Sequence, residues 1–222
     1  KEILGLVHEI LDRPVTIQIG QRSSPAVGIR HAVYPVLHHL KTDLLVEILR
    51  GQEMTSVLVF TRTKRHASSL AQVLQRRGLQ VSILHGDRSQ SDRLHALEQF
   101  REGRTQVMVA TDIAARGIDI EDITHVINFE VPNTPEDYIH RIGRTARAEA
   151  TGDAFTLVSP EEETMVKEIE RALQKSLPRV TLPHFNYRKE TAAHRHGPHH
   201  RFSPPRHFPR APRPFRRRRP RP

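Results

Sequence analysis

Residues 138–149, YIHRIGRTARAE, concentrate side chains that could bind an anion. His140, Arg141, Arg144 and Arg147 fall within eight residues, and like charges three or four positions apart on a helix repel one another. Guanidinium groups bind phosphate oxygens through paired hydrogen bonds and stay charged at any working pH. Arg144 and Arg147 could therefore act together as arginine fingers on a phosphoryl group in transfer, although a solvated basic patch would show the same pattern.

A second candidate anion site follows the apolar run VMVA at residues 107–110. Thr111 could cap a short helical turn that ends at Gly117, and a helix that begins directly after a strand points free N–H groups outward. Asp119 follows, and its carboxylate could accept hydrogen bonds from the vicinal hydroxyls of a ribose. The same residues also fit an ordinary strand–turn–helix connection with an aspartate on the surface.

A third segment, HGDRSQSDR at residues 85–93, could hold a sugar-phosphate chain. Gly86 has no Cβ, so another backbone could approach it closely. Gln90 and Arg93 are three positions apart near the start of a predicted helix, where they would share one face and could contact phosphates. Taken alone, this segment also fits a solvated loop and helix start.

Several nucleotide-binding motifs are missing from the sequence. It contains no G-x-x-x-x-G-K-[ST] phosphate loop, no G-x-G-x-x-G fingerprint and no D-E-A-D-like acidic cluster after a strand. If the arginines bind a nucleoside triphosphate, another domain must contact its base, its Mg²⁺ and most of its phosphate oxygens.

The elements that would position these segments alternate along the chain. Strands are predicted at 30–36, 56–60, 80–84, 106–110, 124–129 and 153–158. Helices are predicted at 64–77 and 91–101, and further helices begin at Pro135 and Pro160, each after a cap residue and with an acid two positions on. This pattern predicts an α/β fold with a mainly parallel central sheet flanked by helices on both faces. Ligands of such sheets gather beyond the carboxyl ends of the strands, where all three candidate segments would lie.

The net charge of +10 belongs to the end of the chain. Residues 188–222 contain 12 of the 35 Lys and Arg residues and one of the 25 acidic residues, so the rest is close to neutral. This end also contains eight prolines and three phenylalanines among eleven arginines, which predicts a disordered tail. Its charges and rings suit a flexible RNA tether, although a solubilising tail would have a similar composition. Nothing fixes the geometry of its histidines, so no metal site is predicted.

Cysteine and long apolar runs are both absent from the sequence. Without cysteine the chain has no disulfide framework, which fits a reducing compartment. The sequence also lacks a run of 18 apolar residues that could span a membrane, so no membrane partner is predicted. We therefore expect a cytoplasmic protein.

Four segments, in order along the chain, resemble motifs of one family. VLVFTRTKR resembles motif IV of the DEAD-box RNA helicases, and HGDRSQSDR resembles motif IVa with the residues before it. ATDIAARGIDI resembles motif V and HRIGRTAR resembles motif VI. From residue 1 to about 178 the chain is similar to the C-terminal half of such a helicase, most of all in the bacterial RhlE-like group. His140 favours this family over related helicases, and Ala146 stands where the family usually has Gly.

The resemblance implies a RecA-like domain and an ATP-dependent motor. Two RecA-like domains would close on ATP–Mg²⁺ and single-stranded RNA and so unwind or remodel a short RNA duplex. Arg144 and Arg147 would contact the γ-phosphate and Asp119 the ribose. His140 and Arg141 would contact the first RecA-like domain.

The resemblance also implies an RNA surface that contacts the backbone and 2′-hydroxyls rather than base sequence. Its residues would be Thr63, Gly86, Gln90, Arg93, Thr111 and Gly117.

The predicted domain organisation has four parts. Residues 1–19 would end the first RecA-like domain, 20–30 would be the interdomain linker, 31–180 the C-terminal RecA-like domain, and 181–222 the Arg/Pro/His-rich tail. The first domain would hold ATP and Mg²⁺, so the chain alone should hydrolyse no ATP. Two alternatives stay open: a related helicase that acts on DNA, and a stand-alone RNA-binding or annealing module that acts through the tail.

Overall fold

The computed structural model describes residues 10–11, 28–51, 54–116, 123–145 and 151–189. These residues lie in the first of the two units into which the chain divides, Lys1–Lys189 and Glu190–Pro222. Most of the helix and all of the strand predicted before residue 20, most of the predicted linker, and the tail beyond residue 189 lie outside the described residues.

Six strands form one parallel sheet. They are β1 (Ile29–Pro35), β2 (Val57–Thr61), β3 (Val81–Leu84), β4 (Val107–Thr111), β5 (His125–Asn128) and β6 (Gly152–Val158). Their order in the sheet is β1-β6-β5-β2-β4-β3. Every residue of the central strands β2, β4 and β5 is buried, which explains why these strands are nearly continuous apolar runs in the sequence.

Six α-helices are described. They are α1 (Lys41–Gly51), α2 (Lys64–Arg76), α3 (Gln90–Arg101), α4 (Asp112–Ala115), α5 (Pro135–Ile142) and α6 (Glu163–Leu173); short 3₁₀ turns at His38–Leu40 and Pro160–Glu162 precede α1 and α6. The predicted strands and the helices α2 and α3 agree with these bounds to within one or two residues, whereas α1 was not predicted. Within the described ranges, no helix has the length and apolar character needed to cross a membrane.

Helices cover both faces of the sheet, as predicted. Val57 and Val59 of β2 pack on one face in a cluster with α1 and α2, while Leu58 and Phe60 pack on the other face with residues of α3 and α4. A third cluster joins α5 and α6 to the region of β1 and β6. This alternation along β2 is what a sheet buried on both sides requires.

The chain beyond α6 returns to the domain. Val33 of β1 donates to the carbonyl of Pro178, and Val180 donates back to Val33, both at 2.8 Å. Leu182, Phe185 and Tyr187 then pack against the first core cluster. The domain therefore continues to Lys189, and the predicted boundary at residue 180 is nine residues too early, because the apolar side chains between 181 and 189 still find partners.

Candidate functional site

The carboxyl ends of four neighbouring strands form one edge of the sheet. Register pairs Thr61 of β2 with Thr111 of β4, and the neighbouring pairs Leu84–Ala110 and Phe60–Asn128 bring the ends of β3 and β5 to the same edge. The described parts of the segments predicted to do chemistry follow these strands, and the sheet brings these parts to one edge, as the sequence predicted.

Helix α5 lies at this edge, and residues typical of helix caps mark both of its ends. Thr134 is its N-cap, and the Thr134 hydroxyl accepts a hydrogen bond from the Asp137 backbone N–H at 3.1 Å. Pro135 occupies the first turn, and the helix ends at Ile142 with Gly143 as its C-cap. Acids in the first turn and bases in the last complement the helix dipole.

Arg141 of α5 is buried, with 2% of its surface exposed. Its guanidinium donates to both carboxylate oxygens of Asp112, at 2.6 and 2.8 Å. It also donates to the Asn128 side-chain oxygen at 3.1 Å and to the Glu130 carbonyl at 2.8 Å. The guanidinium carbon lies 5.1 Å from the centre of the Phe60 ring.

These contacts give Arg141 an internal role. Among the described residues, its hydrogen bonds join α5 to the ends of β4 and β5 and so fix α5 on the sheet edge. The predicted interdomain contact of Arg141 stays a prediction.

Beside Arg141 lies a small open pocket. Its lining includes Phe60, Asp112, His140 and Arg144. His140 is exposed and Arg144 is half-buried, so both side chains can be reached from this surface. Two partners that the sequence predicted for this place, Asp119 and Arg147, lie outside the described residues.

Thr63 and Gly86 form the next part of the edge. Thr63 is the exposed N-cap of α2, and its hydroxyl accepts from the His66 backbone N–H at 3.1 Å. Gly86 is also exposed, and an added Cβ would lie 3.5 Å from the Cε atom of Lys64, an ordinary contact. Packing within this domain therefore does not require glycine at this position.

Gln90 and Arg93 contact each other at the start of α3. The Arg93 guanidinium donates to the Gln90 side-chain oxygen at 3.3 Å, which confirms that the two share a face. The Nε atom of Arg93 is buried and has no hydrogen-bond partner among the described residues. A buried donor without a partner is uncommon in folded proteins.

Thr111 is the N-cap residue of α4, but its side chain makes no capping hydrogen bond. The prediction that its hydroxyl caps the turn is therefore wrong within the described part of the chain. The Thr111 side chain is buried, and the next residue, Asp112, is held by Arg141. Gly117, the predicted end of the turn, lies outside the described residues.

His85 fixes the loop that carries Gly86. Its Nδ1 atom accepts from the Asp87 backbone N–H at 3.3 Å, so its Nε2 atom carries the proton and donates to the Ser68 hydroxyl at 2.9 Å. Burial, together with the charge of Arg88, lowers the pKa of His85. The loop is therefore built on a neutral imidazole.

Sequence reasoning missed a buried ionic cluster at the same edge. Lys41 donates to the Phe129 and Leu157 carbonyls, at 3.1 and 2.8 Å, and to the Glu162 carboxylate. Burial lowers the pKa of Lys41, and the hydrogen bond that Lys41 donates to Glu162 opposes this effect. A second buried carboxylate, Glu130, follows β5. The sequence could have indicated Glu130, because this acid directly follows the predicted apolar strand 124–129.

A metal site is not built by these residues. The described ranges contain no group of three or more His, Cys, Asp or Glu side chains that could hold a metal ion. The carboxylates of the edge are instead paired with Lys41, Arg62 and Arg141.

Comparison with known proteins identifies the family. The family model for the helicase conserved C-terminal domain matches residues 40–149. The DEAD-box ATP-dependent RNA helicase CshA of Bacillus subtilis (strain 168) is 39% identical over 181 residues, which cover 82% of this chain and 37% of CshA. CshA of Geobacillus kaustophilus (strain HTA426) is also 39% identical, over 39% of its length. The chain thus spans less than two fifths of these curated relatives.

Solved structures agree with this match. The E. coli DEAD-box protein SrmB, in complex with regulator of ribonuclease activity A, superposes with a TM-score of 0.67 and 36% identity, over 73% of this chain and 98% of that chain. S. cerevisiae Dbp5 bound to RNA and ADP BeF3 gives a TM-score of 0.74 and 29% identity, over 81% of this chain and 48% of that chain. The residues that the family model matches, 40–149, include the strand-end edge with α5. The chain belongs to the DEAD-box helicase family as its conserved C-terminal, RecA-like domain.

Proposed function

We propose that the chain is the second motor domain of an ATP-dependent RNA helicase that unwinds or remodels short RNA duplexes. In this proposal a cleft closes between this domain and a first RecA-like domain, with ATP and RNA bound across it. The observation that supports the proposal most is the placement of Arg144 on the open pocket beside Asp112, at the strand-end edge.

The chemical contribution of this chain would be positive charge at the γ-phosphate. Arg144 and Arg147 would stabilise the charge that the phosphoryl oxygens carry in the transition state, and Asp119 would bind the ribose. His140, exposed on the same pocket, would contact the first domain. Arg141 would keep α5, and with it the start of the arginine pair, in place. Mg²⁺ would be held mainly by the first domain, because the sequence of this chain contains no D-E-A-D-like acidic cluster after a strand.

The RNA surface would run along the ends of β2, β4 and β3. It would consist of Thr63, Gly86, Gln90, Arg93, Thr111 and Gly117. The exposed N-termini of α2 and α3 present backbone N–H groups that suit phosphate oxygens, and the Arg93 guanidinium lies beside Gln90 at the start of α3. Dbp5, which has the same fold, is a relative seen with RNA and ADP BeF3. The arginine-rich tail would tether RNA, and the protein would act in the cytoplasm.

The proposal can be tested with a fusion protein. The first RecA-like domain of the Bacillus subtilis relative is joined to residues 20–222 of this chain, and ATP hydrolysis is measured with RNA, with DNA and without nucleic acid. We expect RNA-stimulated hydrolysis by the fusion and none by the chain alone. Turnover by the isolated chain would contradict the two-domain site, and equal stimulation by DNA would overturn the RNA assignment.

A further inference from the structure

Glu130 lies two residues after the end of β5 and is buried, with 3% of its surface exposed. Among the described residues, its carboxylate contacts Arg62, in the turn between β2 and α2, and His66, in the first turn of α2. One oxygen accepts a hydrogen bond from the Arg62 backbone N–H at 2.7 Å. The other accepts one from His66 Nδ1 at 3.0 Å and lies 3.6 Å from the Arg62 guanidinium.

This turn carries Thr63, a residue of the proposed RNA surface. Glu130 binds the residue before Thr63 and the residue three positions after it. Thr63 itself accepts from His66 through its hydroxyl, and its carbonyl accepts from the Thr61 hydroxyl at 3.3 Å. The carboxylate therefore fixes both ends of the short stretch that presents Thr63 to solvent.

The carboxylate is ionised, which makes its hydrogen bonds strong. Burial alone would raise the pKa of Glu130, but the hydrogen bonds from the Arg62 amide and from His66, with the charges of both side chains, lower it. Hydrogen bonds to a charged acceptor are shorter and about twice as strong as neutral ones. Arg62 also lies 3.6 Å from a second buried carboxylate, Glu162, which Lys41 neutralises.

The backbone of Glu130 faces the other half of the edge. Its carbonyl accepts the hydrogen bond from Arg141 at 2.8 Å, so one residue supports the RNA turn with its side chain and α5 with its main chain. Because Glu130 is buried, it can act on a bound nucleic acid only through the residues that it holds.

We propose that Glu130 is a positioning residue that holds the Arg62–Thr63 turn in the conformation that binds the RNA backbone. The proposal rests on the proposed function, since it assumes that Thr63 contacts RNA. It assigns to Glu130 no contact with RNA and no part in hydrolysis.

The test uses the whole chain and two substitutions. Glu130→Ala removes both hydrogen bonds to the turn, whereas Glu130→Gln keeps an oxygen that can accept from the Arg62 amide but removes the charge. Glu47→Gln, on the exposed face of α1, is the matched control for the change in charge. Thr63→Ala and Arg93→Ala test the RNA surface directly. Affinity for a labelled single-stranded oligouridine and hydrogen–deuterium exchange of residues 62–66 are measured for each variant.

We expect Glu130→Ala to weaken RNA binding about fivefold to tenfold, a part of what hydrogen bonds to a charged group contribute, and to speed exchange across the turn. Glu130→Gln should weaken RNA binding about twofold to threefold. The control Glu47→Gln should bind RNA with the same affinity as the unsubstituted chain. If both Glu130 variants bind RNA normally while Thr63→Ala binds more weakly, the proposal is wrong and the RNA surface stands. If neither Thr63→Ala nor Arg93→Ala affects binding, the RNA surface is wrong and the proposal falls with it.

Discussion

The stability of an Arg141→Ala variant distinguishes an internal structural role of Arg141 from a role in contact with another domain. The structure gives Arg141 four hydrogen bonds to three residues of its own domain, with 2% of its surface exposed. A residue that served only to contact another domain would contribute little to the stability of this one. We therefore predict that Arg141→Ala lowers the free energy of unfolding of the chain strongly.

The expected loss follows from the groups that would be left behind. Without the guanidinium, the Asp112 carboxylate, the Asn128 oxygen and the Glu130 carbonyl lose their donor. Removing one partner of a buried ion pair costs about 3–5 kcal/mol. The Asp112 side chain is 26% exposed, so water can replace part of the lost contact, and we expect about 3 kcal/mol. Arg141→Lys restores a charge but not the planar fork, and about 2 kcal/mol should still be lost.

Urea denaturation followed by circular dichroism measures this loss as a lower midpoint with an unchanged slope. The control is Arg116→Ala, which removes an ion pair of 3.0 Å with Asp137 from a side chain that is 59% exposed. Surface pairs of this kind contribute about 0–1 kcal/mol. Equal, small losses for Arg141→Ala and Arg116→Ala would refute the internal role and return Arg141 to the predicted interdomain contact.

Three further predictions concern pH, the buried lysine and the tail. The free energy of unfolding should fall below pH 6.5, because His85 binds a proton near that pH in the unfolded chain, whereas its pKa is lowered in the folded chain. His85→Gln should therefore make the urea midpoint less dependent on pH. An unchanged pH dependence would contradict this prediction. Lys41→Met should lower the free energy of unfolding in urea by about 3–5 kcal/mol, because it removes the cation that is hydrogen-bonded to the buried Glu162 carboxylate. Lys64→Met removes an exposed pair and should cost less than about 1 kcal/mol, so similar losses for the two variants would argue against the buried cluster. Deletion of residues 190–222 should weaken RNA binding and flatten its salt dependence, since about 0.7 of a counterion is released per phosphate neutralised on single strands, and an unchanged slope would leave the tail a solubilising role.

Much of the fold could be predicted from local signals. Buried parallel strands are apolar runs in the sequence, and α5 carries a cap residue, a proline and an acid in fixed positions, so the start of α5 was placed correctly. Helix α1 was missed because no comparable N-terminal signal precedes it. The end of the domain was misplaced because residues 181–189 contain only scattered apolar side chains, whose partners are remote in sequence.

The site was predicted less completely, for a physical reason. Spacing predicted the contact between Gln90 and Arg93, because residues three apart on a helix meet. Spacing could not separate Arg141 from Arg144, since the partner that holds Arg141 in the core, Asp112, is 29 positions away. Glu130 was missed for the same reason: its partner Arg62 is 68 positions away, and only the sheet order brings them together.

The most direct test of the central claim is the turnover rate of the fusion protein after substitution of Arg144, measured at saturating ATP and RNA. We predict that Arg144→Ala lowers kcat by about 10³-fold or more, as the loss of an arginine finger does, while RNA affinity is unchanged. Arg76→Ala, on the exposed end of α2, is the control and should keep the original rate. Hydrolysis by Arg144→Ala at the rate of the unchanged fusion would show that Arg144 does not supply positive charge to the reacting phosphate.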